Sequence, residues 1–181
     1  MKKRILTLPV LSSLFVLSIA SCDKIKDKLF PAFDTEISAV SVNMPITLQG
    51  VQANCSNTVS LNLDSIIKVN TGNTFSIDNI SSVKVKDLAI FVNNADDLND
   101  ISNFESISMK FSSNTNTTPV EVASAIIPDS PASSLNITPA NRPELKEYLK
   151  GSELTYTVSG TTRRSTTKVL NATVAVTLAV K

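Results

Sequence analysis

From Asp34 to the C-terminus, apolar and polar residues exchange places at every second position over run after run. In "AVSVNMPITLQ" the residues Val40, Val42, Met44, Ile46 and Leu48 alternate with Ser41, Asn43, Pro45, Thr47 and Gln49. A strand that buries one face and wets the other reads this way, the mark of antiparallel sheet. Pro45 brings no donor to a ladder, so this strand is expected at a sheet edge or at a crossing between sheets. "TVSLNLD" sends Val59, Leu61 and Leu63 inward, and "FESISMKFS" sends Ile107, Met109 and Phe111. "PVEVASAII" offers Val120, Val122 and Ile126, and "ELTYTVS" offers Leu154, Tyr156 and Val158. The alternation from Leu170 to Val180 is the most regular in the chain. In "SVKVKDLAIFV" the phase slips: Val83 and Val85 are odd-numbered, whereas Leu88, Ile90 and Val92 are even. One extra residue near Lys86-Asp87, a β-bulge, restores the register.

Helical spacing is scarce. "TPANRPELKEYLKG" is the best instance, with Pro143 suited to a first turn, Leu145 and Leu149 four apart, and Gly151 as terminator. Shorter turns are expected at "LDSIIK" and "ADDLNDIS". No repeat or linker divides the body. The pattern predicts an all-β fold: one antiparallel β-sandwich of about seven or eight strands, immunoglobulin-like or jelly-roll-like, with one or two short helices. A small β-barrel is the alternative.

Composition narrows the chemistry more than it adds to it. The 181 residues contain no histidine and no tryptophan. Histidine-dependent nucleophilic catalysis and imidazole metal sites are therefore excluded. Aromatics make up 5% of the chain, leaving Tyr148 and Tyr156 as the groups for a sugar-stacking platform. The formal charge is +1, yet Lys2, Lys3 and Arg4 stand in the first four positions, and without them fourteen basic residues face sixteen acidic ones. Nothing there suits nucleic acid.

The N-terminus carries its own signal. "MKKR" is a positive n-region, "ILTLPVLSSLFVLSIA" an apolar h-region, and Ala20 and Ser21 are small residues ahead of Cys22. That is the layout of a secretory leader, too short and interrupted to span a bilayer well. The quartet Ile19-Ala20-Ser21-Cys22 resembles the lipobox of bacterial lipoproteins. The resemblance covers residues 1–22 and implies cleavage before Cys22 and a diacylglyceryl thioether on its sulfur. Two or three acyl chains anchor a protein stably where one does not, at about 0.8 kcal/mol per buried methylene. The expected division is residues 1–21 as signal peptide, 22–33 as lipidated tether and 34–181 as a single β-sandwich domain. In the tether, Ile25, Leu29 and Phe33 recur at helical spacing, either as an amphipathic turn on the membrane or as a lid on the body. The layout as a whole resembles the small all-β lipoproteins common in Bacteroidota, which implies an envelope location and carries over no active site; within the envelope, the outer membrane is the expected place.

Four further sites call for comment. With lipid on Cys22, Cys55 has no partner within the chain and reads as a half-buried residue of the loop "GVQANCSN", an intermolecular bridge being the alternative. Asp96, Asp97, Asn99 and Asp100 gather oxygen ligands as a candidate cation cluster, but Leu98 and Ile101 fall where an EF-hand needs ligands or glycine. An acidic helix start accounts for them equally. Arg163 and Arg164 read as the solvated tip of a final hairpin, or as a contact for phosphate or an acidic partner. Asp64-Ser65-Ile66 resembles the Asp-Ser/Thr-apolar sequon of Bacteroidota O-glycosylation, which implies Ser65 as acceptor; a helix N-cap region is the other reading.

No catalytic residue and no cofactor is expected. The leading expectation is a non-enzymatic, lipid-anchored protein that binds or scaffolds an envelope protein or glycan. The alternative is a carrier or binder of a small apolar ligand or glycan at the outer membrane. An enzyme would need carboxylates such as Asp78, Asp87 and Glu105 brought together by the fold.

Overall fold

The computed structural model describes residues 32–181. The expectations for the leader, for Cys22, and for Ile25 and Leu29 lie outside the described residues. Among the described residues, eight strands form two four-stranded antiparallel sheets. They are β1 (Phe33–Met44), β2 (Gln52–Ser60), β3 (Val83–Val92), β4 (Phe104–Ser113), β5 (Val120–Ile126), β6 (Ser134–Ile137), β7 (Glu153–Thr162) and β8 (Leu170–Val180). The first sheet has the order β1-β8-β3-β6 and the second β2-β7-β4-β5. One core lies between them, drawing on Val174, Val176 and Leu178 from the first sheet and on Ile107, Met109 and Phe111 from the second. The molecule is an antiparallel sandwich and, among the described residues, not a closed barrel.

Parity of the sequence explains most of the burial. All six even positions of β8 are buried and its odd positions are not. The slip in β3 is real: pairing to β8 shifts between Val85 and Asp87, and Val83, Val85, Leu88 and Ile90 all point inward. β1 is an edge strand, one of the two placements expected from Pro45, but it stops at Met44. Ile46 and Leu48, expected inward, are 59% and 70% exposed, because alternation beyond the proline no longer belongs to a ladder. Phe33, expected on the helical face of the tether, instead opens β1 opposite Val180. In β5, Met109 faces Ala123 while Lys110 faces Glu121, so Val122 is the extra residue of a bulge. Val122 and Ala123 are both buried and Ile126, expected inward, is 83% exposed.

Two helices and two 3₁₀ turns complete the fold among the described residues. α1 (Leu63–Asn70) is capped by Asn62, whose side chain accepts from the Ser65 amide at 2.9 Å. α2 is a single turn, Lys146–Leu149, shorter than "PELKEYLKG" suggested. The reason is local. The Leu145 amide donates to the Val83 carbonyl at 2.8 Å, and Glu144 accepts from the Ser82 hydroxyl and the Val83 amide, which ties the chain ahead of the turn to the start of β3. The 3₁₀ turns are Ile77–Asn79 and Ile101–Asn103. Cys55 lies in β2 opposite Val158, and not in a loop.

Connectivity decides where the loops go. Only β4–β5 is a hairpin within one sheet; every other sequential connection crosses between sheets. β7 and β8 therefore do not form the expected final hairpin. The connections 45–51, 93–103, 127–133 and 163–169 all emerge at one end of the sandwich. Phe33, the C-terminal Lys181, α1 and α2 lie at the other.

Candidate functional site

The loop end is a connected structure. Arg163 and Arg164, expected as a solvated tip, bind three loops together. The Arg163 guanidinium donates to the carbonyls of Ser102 and Ile127 at 3.0 and 2.6 Å, and Arg164 donates to the Ser102 carbonyl and hydroxyl. Both backbone amides donate to the Asn103 carbonyl, and both guanidiniums face Asp129. The first loop is held by paired bonds in which the Thr47 amide donates to the Thr166 hydroxyl and the Thr166 amide to the Thr47 carbonyl.

The acidic stretch is organised as a turn. Asp96 accepts from the Leu98 amide and the Asn99 side chain through one oxygen and pairs with Lys168 at 2.6 Å through the other. The Lys168 ammonium, then the two hydrogen bonds, hold its carboxyl far below the usual range. Asn99, itself buried, accepts from the Thr167 amide. Asp100, also buried, takes bonds from Ser102 and from the Ala132 amide. Asn103 donates to the carbonyls of Leu98 and Ser165. Of the four proposed cation ligands, three thus bind their own neighbours, and Asp97 alone stands exposed with no partner among the described residues. Among the described residues no three His, Cys, Asp or Glu side chains converge as a metal site would need.

Between these loops lies an open concavity of about 450 Å³, with Asp97, Leu98, Asp129, Pro131, Arg164 and Thr167 on its walls. Around it the end is apolar. Ile46, Leu48 and Val51 on the first loop, Leu98 on the second and Val169 on the fourth are all exposed. Phe91 and Ile126 add two more at the adjacent strand ends. Of the large exposed apolar side chains among the described residues, only Val69, on α1, lies elsewhere. Sequence reasoning missed this gathering. The signal was present in Pro45 and in Leu98, an apolar residue enclosed by acids and amides.

Other expected sites are dispersed. Ser65 is exposed in the first turn of α1, where Asp64 pairs with Lys68 and accepts from the Ile77 amide. Asp78 lies in a 3₁₀ turn, Asp87 in β3 and Glu105 in β4 of the opposite sheet, so the fold does not bring these carboxylates together. Tyr156, one of two groups left for a sugar platform, is fully buried. Smaller concavities of about 300 and 270 Å³ lie on the outer faces of the first and second sheets. The Cys55 thiol donates to the Val158 carbonyl at 3.7 Å. Burial pushes its pKa up to about 11, against the small opposing effect of that bond, so it is not an activated nucleophile.

No protein-family model matches this chain, and no curated protein does. A solved structure, that of the infectious bursal disease virus Gx strain, is similar over 83% of this chain and 41% of its own, at 7% identity and a TM-score of 0.26. A likeness that loose carries neither fold nor function. Among the described residues no helix is long and apolar enough to cross a membrane.

Proposed function

We propose that the protein is a lipid-anchored component of a bacterial envelope, held at the outer membrane through acyl chains on Cys22, with a non-enzymatic role in binding or scaffolding. The observation that carries this reading is polarity of the molecule. Cys22 stands eleven positions ahead of Phe33, where β1 begins at one end of the sandwich, and the apolar loop surface lies at the other. An anchor at one end and an exposed apolar patch at the far end suit a protein that presents a surface to a partner away from its own membrane. The missing histidine and the dispersed carboxylates give no support to catalysis.

The test is metabolic palmitate labelling of cells carrying the native chain or Cys22→Ser, followed by fractionation and protease shaving. The native chain is expected to be labelled and to sediment with outer membrane. Cys22→Ser is expected to lose the label, keep its leader uncleaved at that site and leave the outer-membrane fraction. Unchanged processing and fractionation of Cys22→Ser would overturn the reading.

A further inference from the structure

We infer that the concavity at the loop end receives a lysine or arginine side chain from a partner protein whose surrounding face is apolar. The inference deepens the anchored-binder reading above and rests on it.

The walls define the guest. Leu98, 72% exposed, and Pro131 give apolar surface to a methylene stem, while Asp97 supplies a carboxylate with no ion pair among the described residues, and with Asp100 and Asp129 it outnumbers the one guanidinium on these walls, that of Arg164. Long basic side chains bury an aliphatic stem and leave the charged head for a carboxylate, which is the combination on offer. Outside the concavity, Ile46, Leu48 and Val51 give the water-excluding contact that makes one such pair count. The receiving loops are already fixed by the Asp96, Asn99 and Asn103 bonds, so docking orders little.

Charge separates this guest from others. The cations at this end, Arg163, Arg164 and Lys168, are each held by Asp129 or Asp96. Two guanidiniums share Asp129, so among the described residues three cations at this end face the four carboxylates of Asp96, Asp97, Asp100 and Asp129, and the balance is negative. Anionic lipid headgroups and phosphates would meet more carboxylates than cations there, and each of the three cations already faces a carboxylate. A second copy docked end to end would bring two acid-bearing rims together. A cationic residue within an apolar protein face has neither difficulty.

A photo-reactive benzophenone amino acid at position 98 of the full chain, in intact cells, tests this. The same probe at exposed Val69 on the opposite end is the control, and palmitate on Cys22 is scored in parallel. The expected result is a protein adduct from position 98, absent from position 69 and reduced about tenfold by Asp97→Lys. Asp97 makes no internal bond, so the reversal leaves the fold intact. An adduct of twice the chain's own mass, an adduct to lipid only, no adduct, or one indifferent to Asp97→Lys would each overturn the inference. Each does so while palmitate on Cys22 still upholds the anchor; loss of that label in the native chain would instead overturn the reading beneath it.

Discussion

Tyr156 sits wholly inside the sandwich, its ring edge-on to Phe111 at a centroid distance of 4.8 Å, with no hydrogen-bond partner for its hydroxyl among the described residues. A buried hydroxyl without a partner costs about 1–3 kcal/mol of desolvation. Removing it removes that cost and leaves the ring packing untouched. Tyr156→Phe is therefore expected to leave urea stability unchanged or raise it by up to about 1 kcal/mol, whereas Tyr156→Ala loses about 3–5 kcal/mol. Gly160 behaves in the opposite way. A Cβ there would stand 2.7 Å from Cδ1 of Phe104, a fully buried ring with no room to retreat. Gly160→Ala is expected to destabilise by about 1–3 kcal/mol in the same measurement. Both positions show what residue-level reading of the sequence reaches. Parity with Leu154 and Val158 placed Tyr156 inward, but the fate of its hydroxyl depends on cross-sheet neighbours that no local pattern encodes.

At the scale of elements, legibility followed the range of the physics involved. The β3 bulge could be read because both halves of the strand are strongly apolar, so a change of parity is visible within ten residues. The β5 bulge could not, since Ala123 and Ala125 are too small to announce that the odd positions had become the inner ones. The final hairpin failed for a different reason. Nothing local says whether "SGTTRRSTTK" returns the chain to the same sheet or to the facing one; the Arg163 and Arg164 bonds to distant carbonyls settle that. β2 was partly hidden because its edge position leaves most of its residues wet, Cys55 among the exceptions. Placement of Cys55 in a ladder has a consequence. With its pKa pushed up to about 11, the thiol is expected to resist iodoacetamide at neutral pH in the folded protein and to react promptly in urea. Rapid native-state alkylation would show that β2 peels from β7 locally. On α1, Asn62→Ala removes the cap on the Ser65 amide and is expected to cost about 1 kcal/mol.

For the molecule as a whole, the absence of histidine fixes how stability depends on pH. No side chain of ordinary pKa changes charge between about pH 5 and 8. On the acid side, Asp64 is held low by Lys68 and the Ile77 amide, and Asp129 by Arg164. For Glu144, burial pushes the carboxyl up, but bonds from Ser82, Val83 and Lys146 outweigh it and leave it low. A carboxyl whose folded pKa is depressed stabilises the native state above its unfolded pKa, about 4, and loses that contribution as pH falls through the folded value. On the alkaline side the sign reverses. The Cys55 thiol, raised by burial, deprotonates first in the unfolded chain, so its contribution is whole below pH 9.0 and is lost on the way to about 11. Lys86, raised by the bond to Asp34, adds to the same loss, since its ammonium is favoured in the fold and surrendered at higher pH. The urea midpoint is thus expected to be flat from about pH 5 to 9, falling on both flanks, with Glu144→Gln making the acid flank shallower. A step near pH 6.5 would mean that some carboxylate titrates far above its ordinary value. The displacements of Asp64, Asp96, Asp129 and Glu144 are all downward, which moves their titration away from that step.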